Sequence, residues 1–188
     1  PHGVWTKVFR PSSLPPGQDR DGVLLVGSFL RDWTGAKRVV LELGKEGVRS
    51  IALGAGPREH LAVDHPHLDV RPRVSEAELA ALYDRSAAVF LPFLEATASN
   101  ALLEAMAAGC PVVCPRLPSL VDEYLDDESD SFEPGDYEHA VDRLLYYVRN
   151  AAAREQKRRA LIARSLHFDW ANIRQRYASA YAEVAAFR

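Results

Sequence analysis

Short apolar runs alternate along this chain with longer stretches whose apolar positions recur every three to four residues. The runs at 21–29, 49–57, 88–93 and 111–114 have strand length and little polar alternation, so they predict strands buried on both faces of a sheet. A shorter strand is predicted at 68–74. Helical periodicity follows residue 37, with Val39, Val40, Leu41 and Leu43 apolar, and returns at 76–83, 101–108, 120–124, 137–150, 151–165 and 170–186. Strand and helix alternate through short connections, which predicts a doubly wound, Rossmann-like parallel α/β sheet with right-handed crossovers and a ligand at its carboxyl edge.

Local signals sharpen this outline. Ser75 followed by Glu78 is a capping box, Ser99 is placed to cap the helix at 101–108, and Gly109 supplies its left-handed stop before Pro111 opens the next strand. The loop 96–100 is made of small or polar residues, so a ligand can approach the backbone at Ala98 and Ser99. The unpaired N–H groups of the following helix then suit a diphosphate. Asn100, Glu104 and Ala108 share one helical face, and the Glu104 carboxylate could accept two hydrogen bonds from the hydroxyls of a ribose. By itself a glutamate on an alanine-rich helix is more often a surface residue.

The surrounding residues change that balance. Leu103-Glu-Ala-Met-Ala-Ala-Gly-Cys-Pro-Val-Val113 resembles, without a gap, the second half of the donor-binding motif of the retaining GT-B glycosyltransferases. There a Glu and seven further residues precede a second Glu and Ala-(Met/Leu)-Ala-x-Gly-x-Pro-Val-Val. The resemblance implies that Glu104 binds the ribose. At the first Glu of the motif this chain has Ala96, with Glu95 as the nearest acid. In the family an Arg directly after the glycine of the first strand and a Lys some six residues on reach the diphosphate. Here Ser28 follows Gly27 and Trp33 takes the Lys position, so the resemblance passes the phosphate role to Arg31 and Lys37. Read without the family, Arg31 could instead pair with Asp32 or Asp21. Arg73 and Val74 stand where the family places the donor's base, and Gly54-Ala-Gly-Pro57 is similar to its turn after the second strand. His2-Gly-Val, Phe132-Glu-Pro-Gly-Asp136 and Phe168-Asp-Trp170 extend the likeness over nearly the whole chain.

Composition removes other classes. Among 188 residues there are 23 Lys and Arg against 26 Asp and Glu, a net charge of −3, so no global basic field recruits nucleic acid or an anionic membrane. No run approaches the roughly 20 apolar residues that span a bilayer, and the opening lacks a signal-peptide pattern. Cys110 and Cys114 have no His partner nearby and are expected as buried free thiols, which fits a reducing, cytoplasmic setting. The nine acids between Asp122 and Glu138 are scattered at loop spacing and are expected on a solvated face, with no metal site. A nicotinamide dehydrogenase would need a three-glycine fingerprint after the first strand, where Gly27 is followed by Ser-Phe-Leu-Arg.

The expected organisation is an interdomain linker or edge at 1–20, a nucleotide-sugar-binding domain at 21–166 and a C-terminal helix at 167–188. The resemblance implies the C-terminal, donor-binding domain of a GT-B enzyme: a retaining hexosyltransferase with a nucleotide-diphospho-sugar as substrate, no cofactor and no metal. Its donor residues would be Gly27, Ser28, Arg31, Lys37, Arg73, Val74, Glu95, Ala98, Ser99, Asn100 and Glu104, with no catalytic side chain identified. The chain opens without Met in a linker-like stretch. An N-terminal acceptor-binding domain is therefore the expected partner, and this chain alone is expected to bind nucleotide without transferring sugar. The final helix, with Tyr177, Tyr181 and Phe187, is expected to leave an apolar patch exposed. A GT-B nucleotide-sugar epimerase and a non-catalytic nucleotide or carbohydrate interaction module are the alternatives.

Overall fold

A computed structural model of the chain describes residues 2–11, 20–61, 64–125 and 130–186. Asp126, Asp127, Glu128 and Phe187, which enter the expectations above, lie outside them, as do Pro1 and residues 12–19 of the proline-rich opening. Six strands, β1 (Val23–Val26), β2 (Ser50–Leu53), β3 (Leu68–Arg71), β4 (Ala88–Phe90), β5 (Val112–Pro115) and β6 (Ser131–Phe132), form one sheet in the order β3-β2-β1-β4-β5-β6. Every pairing is parallel. The order reverses between β1 and β4, so the connections leaving their carboxyl ends turn to opposite faces and open a crevice between them.

Side chains alternate across the sheet, and both faces are dry. Val23, Leu25, Ala52, Phe90 and Val113 pack with α1 (Trp33–Lys45) and α6 (Tyr137–Arg149). Leu24, Val89, Val112 and Cys114 pack with α3 (Glu76–Arg85), α4 (Asn100–Ala108), α5 (Pro118–Tyr124) and α7 (Ala151–Ser165). Burial on both sides is why the strands read as apolar runs. A 3-10 turn at Leu166–Phe168 leads into α8 (Trp170–Ala186). The opening segment is fastened beside it, with Val4 N donating to Phe168 O at 2.8 Å and Trp170 N to Val4 O at 3.1 Å. Val4 and Phe9 belong to the core.

The helix termini follow the local chemistry. Ser75 Oγ accepts from Glu78 N, Asp32 caps α1 through Gly35 N, and Ser99 caps α4 through Leu102 N. At Gly109, φ is +70°, and an added Cβ would lie 2.5 Å from Arg158 Cγ, so glycine both stops α4 and lets α7 close over it. Ala101, Ala105 and Ala108 are as buried as Leu102, Leu103 and Met106, so α4 is packed nearly all round rather than lying on the surface. Cys110 and Cys114 are buried free thiols, and burial raises the pKa of both.

Several expectations need correction. The 49–57 segment is strand only as far as Leu53, because Gly54 (φ +113°) breaks the extended chain and a short helix α2 (Ala55–His60) follows. The helix expected at 120–124 starts earlier, with Pro118 in its first turn. Asp130 does not sit on a solvated face. It is 2% exposed, accepts from Tyr147 Oη at 2.8 and 2.9 Å, and pairs with Arg143 at 2.7 Å and Lys157 at 2.6 Å. Charge count along a loop says nothing about which acids meet cations from α6 and α7. Among the described residues no helix is long and apolar enough to cross a membrane. Tyr181 and Val184 on α8 are exposed.

Removing one side of a buried ion pair leaves the other uncompensated, at a cost of about 3–5 kcal/mol. Asp130→Asn keeps the shape but strands Arg143 and Lys157, which are partly hydrated, so urea unfolding should show a loss near the lower end, about 3 kcal/mol. A loss under about 1 kcal/mol would show that the cluster is not structural.

Candidate functional site

At the carboxyl ends of β1 and β4 lies a cleft of about 540 Å³, walled by the loop after β1, the loop after β4 and the first turns of α4. The two loops are stitched together. Asp32 N donates to Pro92 O at 2.8 Å, Leu94 N donates to Leu30 O at 2.9 Å, and Arg31 and Phe93 form an antiparallel bridge. Leu30 is held at φ +50°, a left-handed conformation that costs a non-glycine residue about 1–2 kcal/mol, and the stitching overrides that cost.

The stitching aims Arg31. Its guanidinium lies 4.2 Å from the centre of the Phe93 ring, with Nη1 donating to Phe29 O at 2.7 Å and Nη2 to Val26 O at 3.4 Å. Gly27 makes the room, since a Cβ there would fall 2.4 Å from Nη2. Among the described residues Nε is buried without a hydrogen-bond partner. No carboxylate among the described residues pairs with the group, and burial lowers its pKa to about 10, still charged at neutral pH. Pairing with Asp32 does not occur: that carboxylate accepts from Gly35 N and from Tyr137 Oη instead. Arg31 is thus a partly desolvated cation whose protein contacts are carbonyl oxygens and an aromatic face.

The N-terminus of α4 faces the same cleft. Ser99 Oγ takes up Leu102 N at 3.3 Å, while the N–H groups of Asn100 and Ala101 lie ahead of the first intrahelical acceptors. These donors and the positive end of the helix dipole complement Arg31 as an anion-binding pair. One turn on, Glu104 lines the cleft. It is half-buried and not simply exposed as the alanines around it had implied. Its Oε2 accepts from Tyr83 Oη at 3.1 Å. Burial raises the Glu104 pKa, Glu76 adds to the rise, and the Tyr83 hydrogen bond opposes it.

Gly27, Ser28, Arg31, Glu95, Ala98, Ser99, Asn100 and Glu104 therefore converge on one cleft, with Ala96 among them. Ser28 Oγ accepts from Gly56 N at 3.3 Å, tying the cleft to the turn after β2. Three of the expected residues lie elsewhere. Lys37 is on a separate groove along α1 with Thr34, Leu41 and His65. Arg73 is exposed beyond β3, and Val74 packs in part against the core. His2, Tyr83 and Phe93 were not singled out from the sequence. His2 hydrogen-bonds Asn100 Oδ1 and meets Trp170 edge-on, placing the opening segment at the cleft. The aromatic close of α3, Leu82-Tyr83, was the only sequence signal for Tyr83.

A second cavity of about 280 Å³ lies between α5, α6 and α7, but of its cations Arg143 and Lys157 are already paired with Asp130, and Arg164 donates to the carbonyl oxygens of Glu123 and Tyr124. Among the described residues no group of three or more His, Cys, Asp or Glu side chains could hold a metal ion.

Residues 22–150 match the family model described as Glycosyl transferases group 1. No curated protein matches the chain. Among solved structures, a sucrose-phosphate synthase from Thermosynechococcus elongatus superposes with a TM-score of 0.80 at 19% identity, over 100% of this chain and 52% of that one. A glycosyltransferase from Rickettsia africae does so at 0.75 and 15%, over 98% and 56%. The C-terminal domain of a glycosyl transferase group 1 family protein from Francisella tularensis gives 0.69 and 17%, over 86% of this chain and 96% of that domain. The chain thus spans about half the length of the first two. The fold is that of the C-terminal domain of a GT-B glycosyltransferase.

A carboxyl whose pKa is higher folded than unfolded binds its proton more tightly in the native state. Its ionisation therefore removes stability as pH rises from the ordinary value of 4.5 through the folded one. Glu104→Gln, which still accepts from Tyr83, should raise Tm at pH 7, with the gain shrinking toward zero as pH is lowered to 4.5 and below. Thermal unfolding of both proteins across this range checks it; a Tm loss at pH 7 would contradict the assigned burial.

Proposed function

Because the chain belongs to the group 1 glycosyl transferases, we propose that it binds a nucleotide-diphospho-sugar and serves as the donor half of a retaining hexosyltransferase. One observation carries this reading: an unpaired, partly desolvated arginine, a helix N-terminus and a half-buried carboxylate share one cleft at the point where the strand order reverses. The diphosphate lies between Arg31 and the N–H groups of Asn100 and Ala101. The ribose hydroxyls donate to Glu104, and the sugar extends toward Ala96 and Glu95.

On this reading the chemistry is electrostatic. As the glycosidic bond breaks, charge grows on the departing phosphate oxygen, and Arg31 with the dipole of α4 stabilises it without reorganising. The arrangement supplies positive charge from the protein itself, so the proposed transfer is metal-independent. The acceptor is held by a second, N-terminal domain, consistent with the chain spanning about half the length of the sucrose-phosphate synthase and the Rickettsia africae glycosyltransferase. Positioning donor and acceptor together is worth about 7–11 kcal/mol, which the donor domain alone forgoes. Ala96 favours a second reading, a nucleotide-binding module that no longer transfers sugar, since the family carries an acid there.

A thermal-shift panel of UDP, GDP, ADP and TDP should give saturable stabilisation with at least one of them, and none with any would contradict both readings. With the best ligand, calorimetry of Glu104→Gln should show a loss of about 2 kcal/mol in binding, some 30-fold in Kd. Arg31→Ala should weaken the diphosphate far more than the bare nucleoside, because the lost attraction is charge against charge, and the loss should diminish at high salt. Equal losses for both ligands would make Arg31 structural. Release of nucleotide from a sugar donor, measured with the acceptor domain present, separates transferase from binding module.

A further inference from the structure

Tyr83 is wholly buried near the end of α3, with Phe9 meeting its ring edge-on at 6.1 Å between centroids. A phenol so placed must spend its one proton inside the protein. Two acceptors are within reach, Glu104 Oε2 at 3.1 Å and Ala101 O at 3.4 Å. The carboxylate is nearer and charged, and Ala101 O is already the natural acceptor for the helical N–H of Ala105. The hydroxyl therefore belongs to Glu104.

That bond has a consequence for the cleft. Ala101, Ala105 and Ala108 beside Glu104 offer no side-chain donors, and Asn100, one turn back on the same face, is engaged by His2, so among the described residues no hydrogen bond from α4 fixes the three torsions of the glutamate. Tyr83 holds Oε2 from behind, while among the described residues no side chain or backbone donor bonds Oε1, which remains for a ligand. A carboxylate held at one oxygen presents the other, and the outer lone pair of the first, in a fixed plane. A pair of adjacent hydroxyls can be read by such a plane, and a single hydroxyl engages only half of it.

We propose that Tyr83 is a positioning residue that orients Glu104 toward a cis-diol, so that it sets the preference of the site for a ribonucleoside over a 2′-deoxyribonucleoside diphosphate. This rests on the reading of Glu104 as the ribose-binding group. Tyr83 itself touches no substrate. It acts by holding the carboxylate in the orientation in which both hydroxyls can donate at once.

The test uses calorimetry with whichever of UDP, GDP and ADP binds most tightly, and with its 2′-deoxy counterpart, on the whole chain, wild type and Tyr83→Phe. The phenylalanine keeps the ring packed and removes only the hydroxyl. The wild type should prefer the ribonucleotide about tenfold or more, the worth of one hydrogen bond to a charged group. In Tyr83→Phe the ribonucleotide should lose most of that factor while the deoxynucleotide changes less than about twofold, so the preference collapses. Tyr83→Met, which also removes the hydroxyl and keeps an apolar side chain in the buried position, should show the same selective loss and serves if the phenylalanine variant is poorly folded. In the unliganded protein, the Glu104 carboxyl followed by NMR should titrate at higher pH in Tyr83→Phe. Equal losses for both nucleotides would make Tyr83 a packing residue and overturn the proposal. A preference abolished by Glu104→Gln but kept in Tyr83→Phe would overturn the positioning role while leaving the ribose assignment intact. No preference in the wild type, or no binding of any of the three, would overturn the ribose assignment and this proposal with it.

Discussion

Two backbone hydrogen bonds, Asp32 N to Pro92 O and Leu94 N to Leu30 O, join the loops that leave β1 and β4 on opposite faces of the sheet. A parallel sheet whose order reverses must part its loops at this point, and without a tie the crevice would be open and its walls mobile. The tie sets the depth of the cleft, forces Leu30 into a left-handed conformation, and leaves Arg31 lying across the end of β1 with its guanidinium on Phe93. Gly27 suits this place because its φ of +99° is strained for any other residue, and the arginine lies in the space of its missing side chain. Sheet topology and cation placement are therefore one constraint seen at two scales.

The residues around this tie are individually unfavourable. Leu30 is strained, Arg31 is desolvated with a buried Nε that nothing among the described residues satisfies, and Glu104 is a half-buried acid whose pKa burial has raised. Elsewhere buried acids have charged partners, although Arg143 Nε and Ser50 Oγ are, like Arg31 Nε, buried without a hydrogen-bond partner among the described residues. Asp130 has a tyrosine and two cations, and Asp84 has Arg20 at 3.0 Å and Arg158 at 3.6 Å. A strained backbone, a cation without a carboxylate partner and a half-buried acid gathered in one cleft are what a site awaiting an anionic, hydroxyl-bearing ligand looks like. A diphosphate would satisfy Arg31 and the N–H groups of α4 together.

Much of this was legible in the sequence, for reasons that differ by element. Strands buried on both faces announce themselves as apolar runs, and Ser75, Ser99 and Gly109 mark helix ends by chemistry that acts over three or four residues. The motif from Leu103 to Val113 brought Glu104 and the loop before it forward, and they line one cleft. What stayed hidden depends on contacts between distant residues. Nothing near Asp130 in sequence announces Lys157, and nothing near Arg31 announces Phe93 as its platform. Lys37 falls off the buried face of α1, which runs through Gly35, Ala36, Val39, Val40 and Leu43, and the turn of the helix carries it away from the cleft. Tyr83 was hidden because a lone aromatic in a charged helix reads as ordinary packing, and its polar atom matters only once α4 is alongside.

The central claim is that a nucleoside diphosphate binds between the loop after β1 and the N-terminus of α4. Backbone amide NMR of this 20.9 kDa chain, titrated with the nucleoside diphosphate that stabilises it most, tests the claim directly. The account predicts saturating shifts at the amides of Gly27 to Arg31 and of Ala98 to Ala101, with the largest at Asn100 and Ala101. Shifts confined to the second cavity around Arg143 and Lys157, or no saturating shifts, would contradict it.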